Sequence, residues 1–270
     1  MKLDGAIAAV TGAGRGIGRA LCREFKRRGA AGIAVLDLDA SQARSTAVEL
    51  GGLGLACDVG DANAIQAAVS QIIARYGRID VWVSNAGFGC KELDLDDALS
   101  APDPTWQRMW DVHVMAHVHA GRVVLPAMLE RGSGHMVNVA SAAGLLSQAG
   151  ETPYSVTKHA AVALAESLAI TYGDRGINVS VVCPQYIATA LTGLDEATAT
   201  GAIEGVLTVE QAAACITDGM EADRFMILPH PEVLVYFQRK ASDYERWLKG
   251  MRRVRDALRA GDGLLKPKPR

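Results

Sequence analysis

The sequence predicts an α/β protein in which one domain is built on a doubly wound sheet of about seven parallel strands, with helices on both faces. Three observations support this fold class. β-rich runs alternate with helical patterns, the strand runs are apolar throughout, and a glycine-rich turn joins the first strand to the first helix. The alternation implies parallel strands joined by crossover helices, and the apolar runs suit strands buried on both faces.

Seven runs have strand character. They start with "AIAAV" and lie at 6–10, 32–36, 53–57, 81–85, 135–140, 178–183 and 224–228. Helical patterns fill the intervals and lie near 16–28, 41–50, 61–76, 105–130, 153–172 and 208–219. No internal repeat or low-complexity linker divides the chain, so these elements are expected to form one domain with a single sheet.

Length and composition limit the possible functions. A chain of 270 residues can bury a sizeable core, and its formal net charge of −2 gives no electrostatic reason to expect nucleic acid or an anionic membrane as a partner. Apolar residues make up 49% of the chain, but no stretch approaches the roughly 18 uninterrupted apolar residues of a membrane span. We therefore expect no nucleic-acid partner and no membrane partner.

The cysteines and the first residues predict the compartment. The five cysteines are scattered without C-x-x-C spacing, so we expect small buried hydrophobes in a reducing compartment and neither disulfides nor a zinc site. The start "MKLDGAIAAVTGAG" runs straight into a strand and lacks the regions of a signal peptide. A cytoplasmic location is expected.

Two segments depart from the alternating rhythm. Residues 186–207, rich in Ala, Thr and Gly, follow the sixth strand at the sheet edge where ligands bind, so they are predicted to form a substrate lid, with an ordinary surface loop as the alternative. Residues 231–270 are predicted to be a basic helical extension of a catalytic domain at 1–230, with a disordered tail. Such a helix contacts solvent or another subunit more often than a membrane surface or an acidic partner.

The turn "TGAGRGIGRAL" carries the strongest single motif. Its glycines stand at 12, 14, 16 and 18. They allow a tight backbone and the close approach of a pyrophosphate, and the helix that follows offers N–H groups and a favourable dipole. Because the turn lies at the first strand–helix junction, it predicts a Rossmann-type dinucleotide-binding domain.

Acidic residues after the second and third strands indicate which dinucleotide is bound. Asp37 closes the second strand, where a carboxylate accepts both hydroxyls of an adenosine ribose and repels a 2′-phosphate. Arg15, inside the glycine turn, would attract that phosphate. We therefore favour NAD over NADP. Asp58 is placed for the adenine amino group, and the alternative is that it caps the following helix.

Tyr154 and Lys158 lie one helical turn apart in "TPYSVTKHA", so their side chains share a face. Such a spacing arises too often by chance to support a conclusion alone. A phenol with a pKa near 10 is a poor base at neutral pH, and a neighbouring ammonium stabilises its phenolate. Ser141, at the end of the fifth strand, can donate a hydrogen bond to a substrate oxygen.

Together these residues resemble the short-chain dehydrogenase/reductase family in its short single-domain form. The resemblance is close over residues 3–192 and looser through the strand near 228, and its motifs are "TGAGRGIG" (11–18), "DV" (58–59), "NAG" (85–87), "NVAS" (138–141), "YSVTK" (154–158) and "CPQYIAT" (183–189). It implies an oxidoreductase in which Tyr154 is the general base in oxidation and the acid in reduction. Ser141 would polarise the substrate oxygen, and Lys158 would also bind the nicotinamide ribose.

The same resemblance assigns the cofactor site. The turn at 85–87 resembles the one beside the adenosine, and Ile187 and Thr189 match the segment that holds the carboxamide. The residues expected to bind NAD are Gly12, Arg15, Gly16, Ile17, Gly18, Asp37, Asp58, Val59, Asn85, Ala86, Gly87, Tyr154, Lys158, Ile187 and Thr189.

Two positions depart from the family's pattern. His113 stands where the family usually has an asparagine, which is thought to kink the helix and expose a carbonyl to a relay water. Because the backbone does much of that work, histidine need not abolish activity. Gln185 stands where glycine is common, and its side chain can change how nicotinamide or substrate packs. His113, His117 and His119 do not share one helical face, so no metal site is expected.

The leading hypothesis is an NAD-dependent oxidoreductase that interconverts a secondary alcohol and a ketone on a fairly apolar small molecule. The apolar character depends on Phe88, Leu145, Leu146 and Leu191, which could equally be core or subunit contacts. The alternative, suggested by the two departures, is a catalytically idle NAD-binding sensor or scaffold. An epimerase of the extended type would need a larger substrate domain. The resemblance also implies pairing through the fourth and fifth helices, as a homodimer or homotetramer.

Overall fold

A seven-stranded parallel sheet forms the centre of the molecule. The computed structural model describes residues 2–89, 94–194 and 205–261. The strands run in the order β3–β2–β1–β4–β5–β6–β9, and they are β1 (Ile7–Thr11), β2 (Gly32–Asp37), β3 (Leu53–Ala56), β4 (Val81–Ser84), β5 (Gly134–Val139), β6 (Ile177–Val182) and β9 (Met226–Ile227). The predicted fold class is confirmed, and each of the seven predicted runs overlaps one of these strands.

The winding direction of the sheet reverses beside its first strand. β1 pairs with β2 on one side and with β4 on the other, so the chain builds outward from β1 in both directions. Ligands of open α/β sheets bind in the crevice at this reversal, outside the carboxyl ends of the strands. The glycine turn after β1 and the segment after β4 both lie at that crevice.

Helices cover both faces of the sheet. They are α1 (Gly16–Arg27), α2 (Ala40–Leu50), α3 (Ala62–Tyr76), α4 (Asp103–Trp110), α5 (Ala116–Arg131), α6 (Ala143–Leu146), α7 (Thr152–Tyr172), α8 (Val209–Glu221), α9 (Glu232–Ser242) and α10 (Tyr244–Arg259). Phe25 of α1 and Ile216 of α8 belong to one apolar core, while Ile72 of α3 and Met128 of α5 belong to the other. This arrangement explains the uniformly apolar strands, whose side chains are buried on both sides.

The fourth predicted helix is interrupted. Residues 105–130 were predicted as one helix, and the structure has α4, a π-helical turn at Asp111–Met115, and α5. A π-helical turn widens the helix by one residue, and such turns occur frequently at functional sites. His113 is its central residue and is fully buried.

Two short strands, β7 (Tyr186–Ile187) and β8 (Val206–Leu207), pair in parallel outside the main sheet. They are the two ends of the segment predicted to be a lid, of which residues 195–204 lie outside the described residues. β9 is shorter than the predicted run at 224–228, because only Val181 and Val182 of β6 pair with it.

The C-terminal extension consists of α9 and α10. Asp243 separates them and caps α10, accepting a hydrogen bond from the backbone N–H of Arg246. α9 contacts α6 and α10 packs on α9. At the far end of α10, Arg259 forms an ion pair with Asp96, which lies between β4 and α4.

Within the described residues, one continuous helical stretch, Asp103–Arg131, has the length and composition of a membrane span. Its most apolar window has a mean hydropathy of 1.2, and 56% of that window is buried inside the fold. The buried part contacts α3 and α7, which is how a core helix of a soluble α/β protein packs.

Candidate active site

The glycine turn between β1 and α1 has the geometry of an anion cradle. Gly12 and Gly16 have positive φ angles of 60° and 56°, and a Cβ added to Gly12 would lie 2.8 Å from the Cα of Ala86. α1 begins without a capping side chain and without an acidic residue in its first turn. Its first N–H groups therefore need another acceptor, and a pyrophosphate fits both the space and the donors.

Thr11 joins this turn to the segment after β4. Its Oγ1 accepts hydrogen bonds from the backbone N–H groups of Asn85 at 2.9 Å and Ala86 at 3.1 Å. The Asn85 amide in turn donates to the carbonyls of Thr11 at 2.9 Å and Gly12 at 3.1 Å. The two predicted cofactor segments thus form one connected edge, and the role of Thr11 was not predicted from the sequence.

Asp37 lies at the opposite rim of the cradle. Its Oδ2 accepts the N–H of Gly14 at 2.9 Å, and its Oδ1 accepts the N–H of Asp39 at 3.0 Å. A carboxylate has about four acceptor positions, so both oxygens retain capacity for ribose hydroxyls. Arg15 is exposed in the same turn. Asp37 is thus hydrogen-bonded to the residue that precedes Arg15, the arginine that the sequence analysis placed in opposition to it over the 2′ position.

Asp58, predicted to bind the adenine amino group, is paired with an arginine. Its two carboxylate oxygens accept hydrogen bonds from Nη2 of Arg108 at 3.0 and 3.1 Å, and Oδ1 also accepts the N–H of Gly60 at 2.9 Å. The pKa of Asp58 is lowered by these hydrogen bonds although its partial burial opposes the change. Asp61 caps α3 instead, so the alternative assignment of Asp58 as the cap is wrong. Neighbouring Val59 is buried.

The predicted carboxamide segment returns to the glycine turn. Ile187 is buried in β7, and its carbonyl accepts the hydroxyl of Thr192 at 2.7 Å. A Cβ added to Gly16 would lie 3.6 Å from Cγ2 of Thr189. The two ends of the predicted cofactor site therefore face each other across the cradle.

His230 anchors this segment through three hydrogen bonds. Its Nδ1 accepts the backbone N–H of Gln185 at 3.1 Å, which leaves Nε2–H to donate to the carbonyls of Tyr186 at 3.2 Å and Gly205 at 3.1 Å. His230 is 2% exposed, and its burial lowers the pKa of the imidazole, which favours this neutral form. The Gln185 backbone thus takes part in an anchor that the sequence analysis did not predict.

Ser141, Tyr154 and Lys158 converge at the carboxyl ends of β5 and β6. Tyr154 and Lys158 lie on one face of α7 and are 7% and 4% exposed, with Nζ of Lys158 5.6 Å from the centre of the Tyr154 ring. Nζ donates to the carbonyl of Val139 at 3.1 Å, and Ser141 Oγ accepts the N–H of Ala143 at 3.1 Å. The predicted trio therefore stands together.

The same point adjoins the cofactor edge. A Cβ added to Gly87 would lie 3.5 Å from Nζ of Lys158 and 3.3 Å from Nε2 of His113. Around the phenol, Phe88, Met109 and Ala143 form a small apolar cluster with Tyr154. Tyr154, the candidate acid–base group, thus packs against apolar side chains, and its neighbour Lys158 lies next to the cofactor turn at Gly87.

Burial shifts the pKa values of both candidate groups. Burial raises the pKa of Tyr154 to about 12, which its hydrogen bond to Ser141 opposes. Burial lowers the pKa of Lys158 to about 8 because its ammonium has no carboxylate partner among the described residues. A nicotinamide ribose, which offers hydroxyl acceptors, suits this buried ammonium. Perturbed pKa values of this kind cluster at functional sites.

His113 replaces the expected asparagine without losing the helix irregularity. It sits in the π-helical turn and accepts the N–H of Phe88 on Nε2 at 3.2 Å, so its Nδ1–H donates to Oγ1 of Thr157 at 3.0 Å. Burial, then the charge of Lys158, hold the pKa of His113 well below 6.5. The imidazole ring meets the Tyr154 ring edge-on at 5.6 Å between centroids.

Two further polar side chains lie in the same interior. Burial and the charge of Lys158 lower the pKa of His117 to about 3. Within the described structure, Nδ1 of His117 and the amide atoms of Asn138 have no hydrogen-bond partner. No group of three or more His, Cys, Asp or Glu side chains among the described residues is arranged to hold a metal ion.

Comparison with known proteins agrees with this geometry. The family model described as short chain dehydrogenase matches residues 6–199. D-threitol dehydrogenase from Mycolicibacterium smegmatis is 35% identical over 199 residues, which cover 70% of this chain and 73% of that protein. Galactitol 2-dehydrogenase (L-tagatose-forming) from Cereibacter sphaeroides is 36% identical over 196 residues, which cover 71% and 75%.

A solved structure extends the similarity over the whole fold. A short chain dehydrogenase/reductase from Burkholderia phymatum, in complex with NAD, superposes with a TM-score of 0.80 at 27% identity, covering 91% of this chain and 96% of that one. The family match spans more than half of the chain, so this protein belongs to the short-chain dehydrogenase family. It is an oxidoreductase of that family with a site for a nicotinamide cofactor.

Proposed function

We propose that the chain is an NAD-dependent oxidoreductase that interconverts a secondary alcohol and a ketone, with Tyr154 as the general acid and base. The observation that carries the proposal is the buried pairing of Tyr154 and Lys158 on one face of α7, beside Ser141 and against the cofactor turn at Gly87. Gly87 follows Ala86, which packs against Gly12 of the glycine turn, so these side chains lie next to the predicted cofactor site.

The residues divide the work of alcohol oxidation. Ser141 donates a hydrogen bond that orients the substrate oxygen, and Tyr154 removes the hydroxyl proton as the carbonyl forms. Lys158 is the cation that can stabilise the phenolate, and because burial raises the pKa of Tyr154 to about 12, the positive charge of an oxidised nicotinamide would have to add to that of Lys158. A bound nicotinamide supplies the hydride acceptor, and in reduction Tyr154 returns the proton to the substrate oxygen.

The preference for NAD depends on Asp37. Its carboxylate stands at the rim of the cradle and is held by the N–H of Gly14, where it can accept ribose hydroxyls and repel a 2′-phosphate. The Burkholderia phymatum structure contains NAD, which supports the same choice. Arg15, which is exposed in the turn, favours NADP instead.

A fairly apolar substrate is supported by the surroundings of Tyr154. Phe88, Met109 and Ala143 pack with the phenol, while Leu145 belongs to the core and Leu191 is 51% exposed. Two relatives have the names of polyol dehydrogenases, so polyols are the competing substrate class. At 35–36% identity we give more weight to the apolar contacts of this chain than to those names.

A homodimer or homotetramer in the cytoplasm completes the proposal. On α7, Val156 and Ile170 are 43% and 84% exposed, and with Ala163 they form a line at seven-residue spacing that another helix can cover. The described cysteines are unpaired, as in a reducing compartment. Sedimentation of a monomer would contradict the assembly.

The proposed chemistry is tested by Tyr154→Phe, with Tyr172→Phe at the far end of α7 as the matched control. Apolar secondary alcohols and polyols are offered with NAD, and NADH formation is followed by absorbance. Tyr154→Phe should lower turnover by about a thousandfold or more and leave NADH binding, followed by fluorescence, nearly unchanged. Full activity in Tyr154→Phe contradicts the mechanism. Tight NADH binding by the native chain without turnover of any alcohol favours the idle sensor.

A further inference from the structure

A cleft of about 290 Å³ lies between the C-terminal extension and the loop that follows α6. The loop residues 146–149 form one wall, and Trp247, Leu248 and Met251 of α10 supply apolar surface on the other. None of the described residues that line this cleft is acidic, whereas three of them are basic. The cleft is therefore both apolar and cationic, although the whole chain has a formal net charge of −2.

Lys240 is the buried cation of this cleft. It is 7% exposed, and its Nζ donates to the carbonyl of Leu145 at 2.6 Å and lies 3.5 Å from Nε2 of His159. The Tyr244 ring centre is 5.5 Å from Nζ. No carboxylate among the described residues pairs with Lys240. An ammonium buried without a counter-ion is costly, and a third donor position remains for an anion.

Arg252 and Arg255 complete the positive charge. Arg255 is paired with Asp256 through Nε at 3.0 Å and Nη2 at 2.8 Å, so its charge is partly neutralised. Arg252 is exposed on the same helix and lines the cleft without an ion pair to any described carboxylate. Lys240 and Arg252 are therefore the two cations available to a ligand.

The wall of the cleft is connected to the candidate active site through α6 and α7. The backbone N–H of Gln148 donates to Oγ of Ser155, the residue after Tyr154, at 2.8 Å. α6 begins two residues after Ser141 and ends at Leu146 in the cleft wall. At about 1.5 Å per helical residue, the stretch from Ser141 to Leu146 places the cleft wall roughly 8 Å from Ser141.

The backbone at the cleft wall is strained. Ser147 has φ 65° and ψ 157°, a conformation that only glycine adopts readily. Such strain persists only where the surroundings hold it, and Lys240 holds the preceding turn through the Leu145 carbonyl. The turn that precedes Ser147 is thus held by the same side chain that offers the cation.

We propose that this cleft binds a carboxylate at the far end of an apolar substrate, with Lys240 and Arg252 as its cationic partners. The proposal rests on the proposed function, and it narrows the substrate class to hydroxy acids or keto acids with an apolar chain between the two groups. An uncharged polyol offers this ammonium hydroxyl acceptors but no counter-charge, so the cleft favours an acid over a polyol.

Binding is measured first, independently of turnover. Decanoate and 1-decanol are titrated into the NAD-loaded chain and followed by calorimetry, with Trp247 fluorescence as a local signal. Decanoate should bind at least tenfold more tightly than decanol. Lys240→Met keeps an unbranched apolar side chain and removes the charge. The ratio of decanoate affinity to decanol affinity should therefore fall towards one. The side chain of Arg252 has no described hydrogen bond to the loop. Arg252→Gln should reduce the same affinity ratio several-fold.

Arg253→Gln is the matched control because Arg253 is exposed on the same helix outside the cleft. It should leave the preference unchanged. Equal losses in Arg252→Gln and Arg253→Gln would indicate the general charge of α10, as at an anionic surface, and would overturn the proposal. Equal affinity of the native chain for decanoate and decanol would also overturn it.

Turnover separates this proposal from the proposed function. 9-Hydroxydecanoate separates its hydroxyl and carboxylate by a chain long enough to extend from Ser141 to the cleft wall, so the native chain should oxidise it faster than its methyl ester. Tyr154→Phe should keep the decanoate preference and lose the turnover. Turnover without preference for the acid overturns the carboxylate site alone, whereas preference without turnover overturns the oxidoreductase mechanism.

Discussion

His113 Nδ1 and Thr157 Oγ1 lie 3.0 Å apart in the protein interior, and this hydrogen bond fastens the π-helical turn to the helix that carries Tyr154 and Lys158. Thr157 Oγ1 is also within reach of the carbonyls of Pro153 at 2.8 Å and Tyr154 at 3.1 Å. The threonine thus accepts from the imidazole and donates within its own helix. Histidine in place of the family's asparagine is accommodated through this hydroxyl.

Thr157→Val should therefore destabilise the protein without changing its shape. The buried Nδ1–H of His113 loses its acceptor, which lowers the free energy of unfolding by about 1–3 kcal/mol in urea denaturation. Thr171→Val on the exposed part of the same helix is the control and should stay within about 0.5 kcal/mol of the native value. Equal effects of the two variants would show that the His113 contact contributes nothing.

Asp37→Asn should change the cofactor preference. The asparagine keeps an oxygen for the N–H of Gly14, but it removes the charge that opposes a 2′-phosphate. We expect the NADP-to-NAD ratio of kcat/KM to rise at least about tenfold, since a like-charge contact costs several kcal/mol. Asp39→Asn is the control because it removes a nearby charge and retains a capping side chain for α2. The NADP-to-NAD ratio of kcat/KM should not change in this variant.

Arg15 supplies the second half of this test. In the Asp37→Asn background, Arg15→Ala should reverse most of the gain for NADP, because the exposed guanidinium belongs to the residue after Gly14, whose N–H contacts residue 37. Initial rates over a range of both cofactors give the values. An unchanged ratio in Asp37→Asn would contradict the assignment of the carboxylate to the ribose.

His230→Ala should weaken cofactor binding from a distance. The imidazole holds Gln185, Tyr186 and Gly205 by three hydrogen bonds, so its loss loosens the segment that leads to Ile187 and Thr189. We expect the Kd for NADH to rise about tenfold, or about 1.4 kcal/mol, in a fluorescence titration. His119→Ala, at a partly exposed site on α5, should leave it unchanged. An unaltered Kd in His230→Ala would contradict this role.

The sequence predicted the sheet and the cradle because their signals are local. Apolar runs and glycine spacing can be identified within about ten residues, and the family motifs supplied Ser141, Tyr154 and Lys158. The contacts that it missed join residues far apart in the chain: Asp58 and Arg108 are 50 positions apart, Gln185 and His230 are 45, and Leu145 and Lys240 are 95. No local pattern encodes such pairs, since packing alone decides which side chains meet.

Four buried histidines make the free energy of unfolding fall in acid, and one of them is His230, whose pKa is lowered by burial. The pKa of His113 is held well below 6.5 by burial and the charge of Lys158, that of His117 is lowered to about 3 by the same causes, and burial lowers that of His135 to about 4. His135 Nε2 is fixed at 2.9 Å from Ser180 Oγ. In the unfolded chain each imidazole returns to a pKa near 6.5.

Below pH 6.5 the unfolded chain therefore takes up protons that the folded chain does not bind. The free energy of unfolding should be at its full value above this pH and fall as the pH drops, by up to about 1.4 kcal/mol per pH unit for each histidine. The loss for His135 ends near pH 4 and that for His117 near pH 3. Urea titrations between pH 5 and about 6.5, above the carboxyl pKa range, isolate this slope. His117→Gln should lower this slope by about a quarter and His119→Gln should not, whereas a flat profile would mean that these imidazoles are protonated equally in both states.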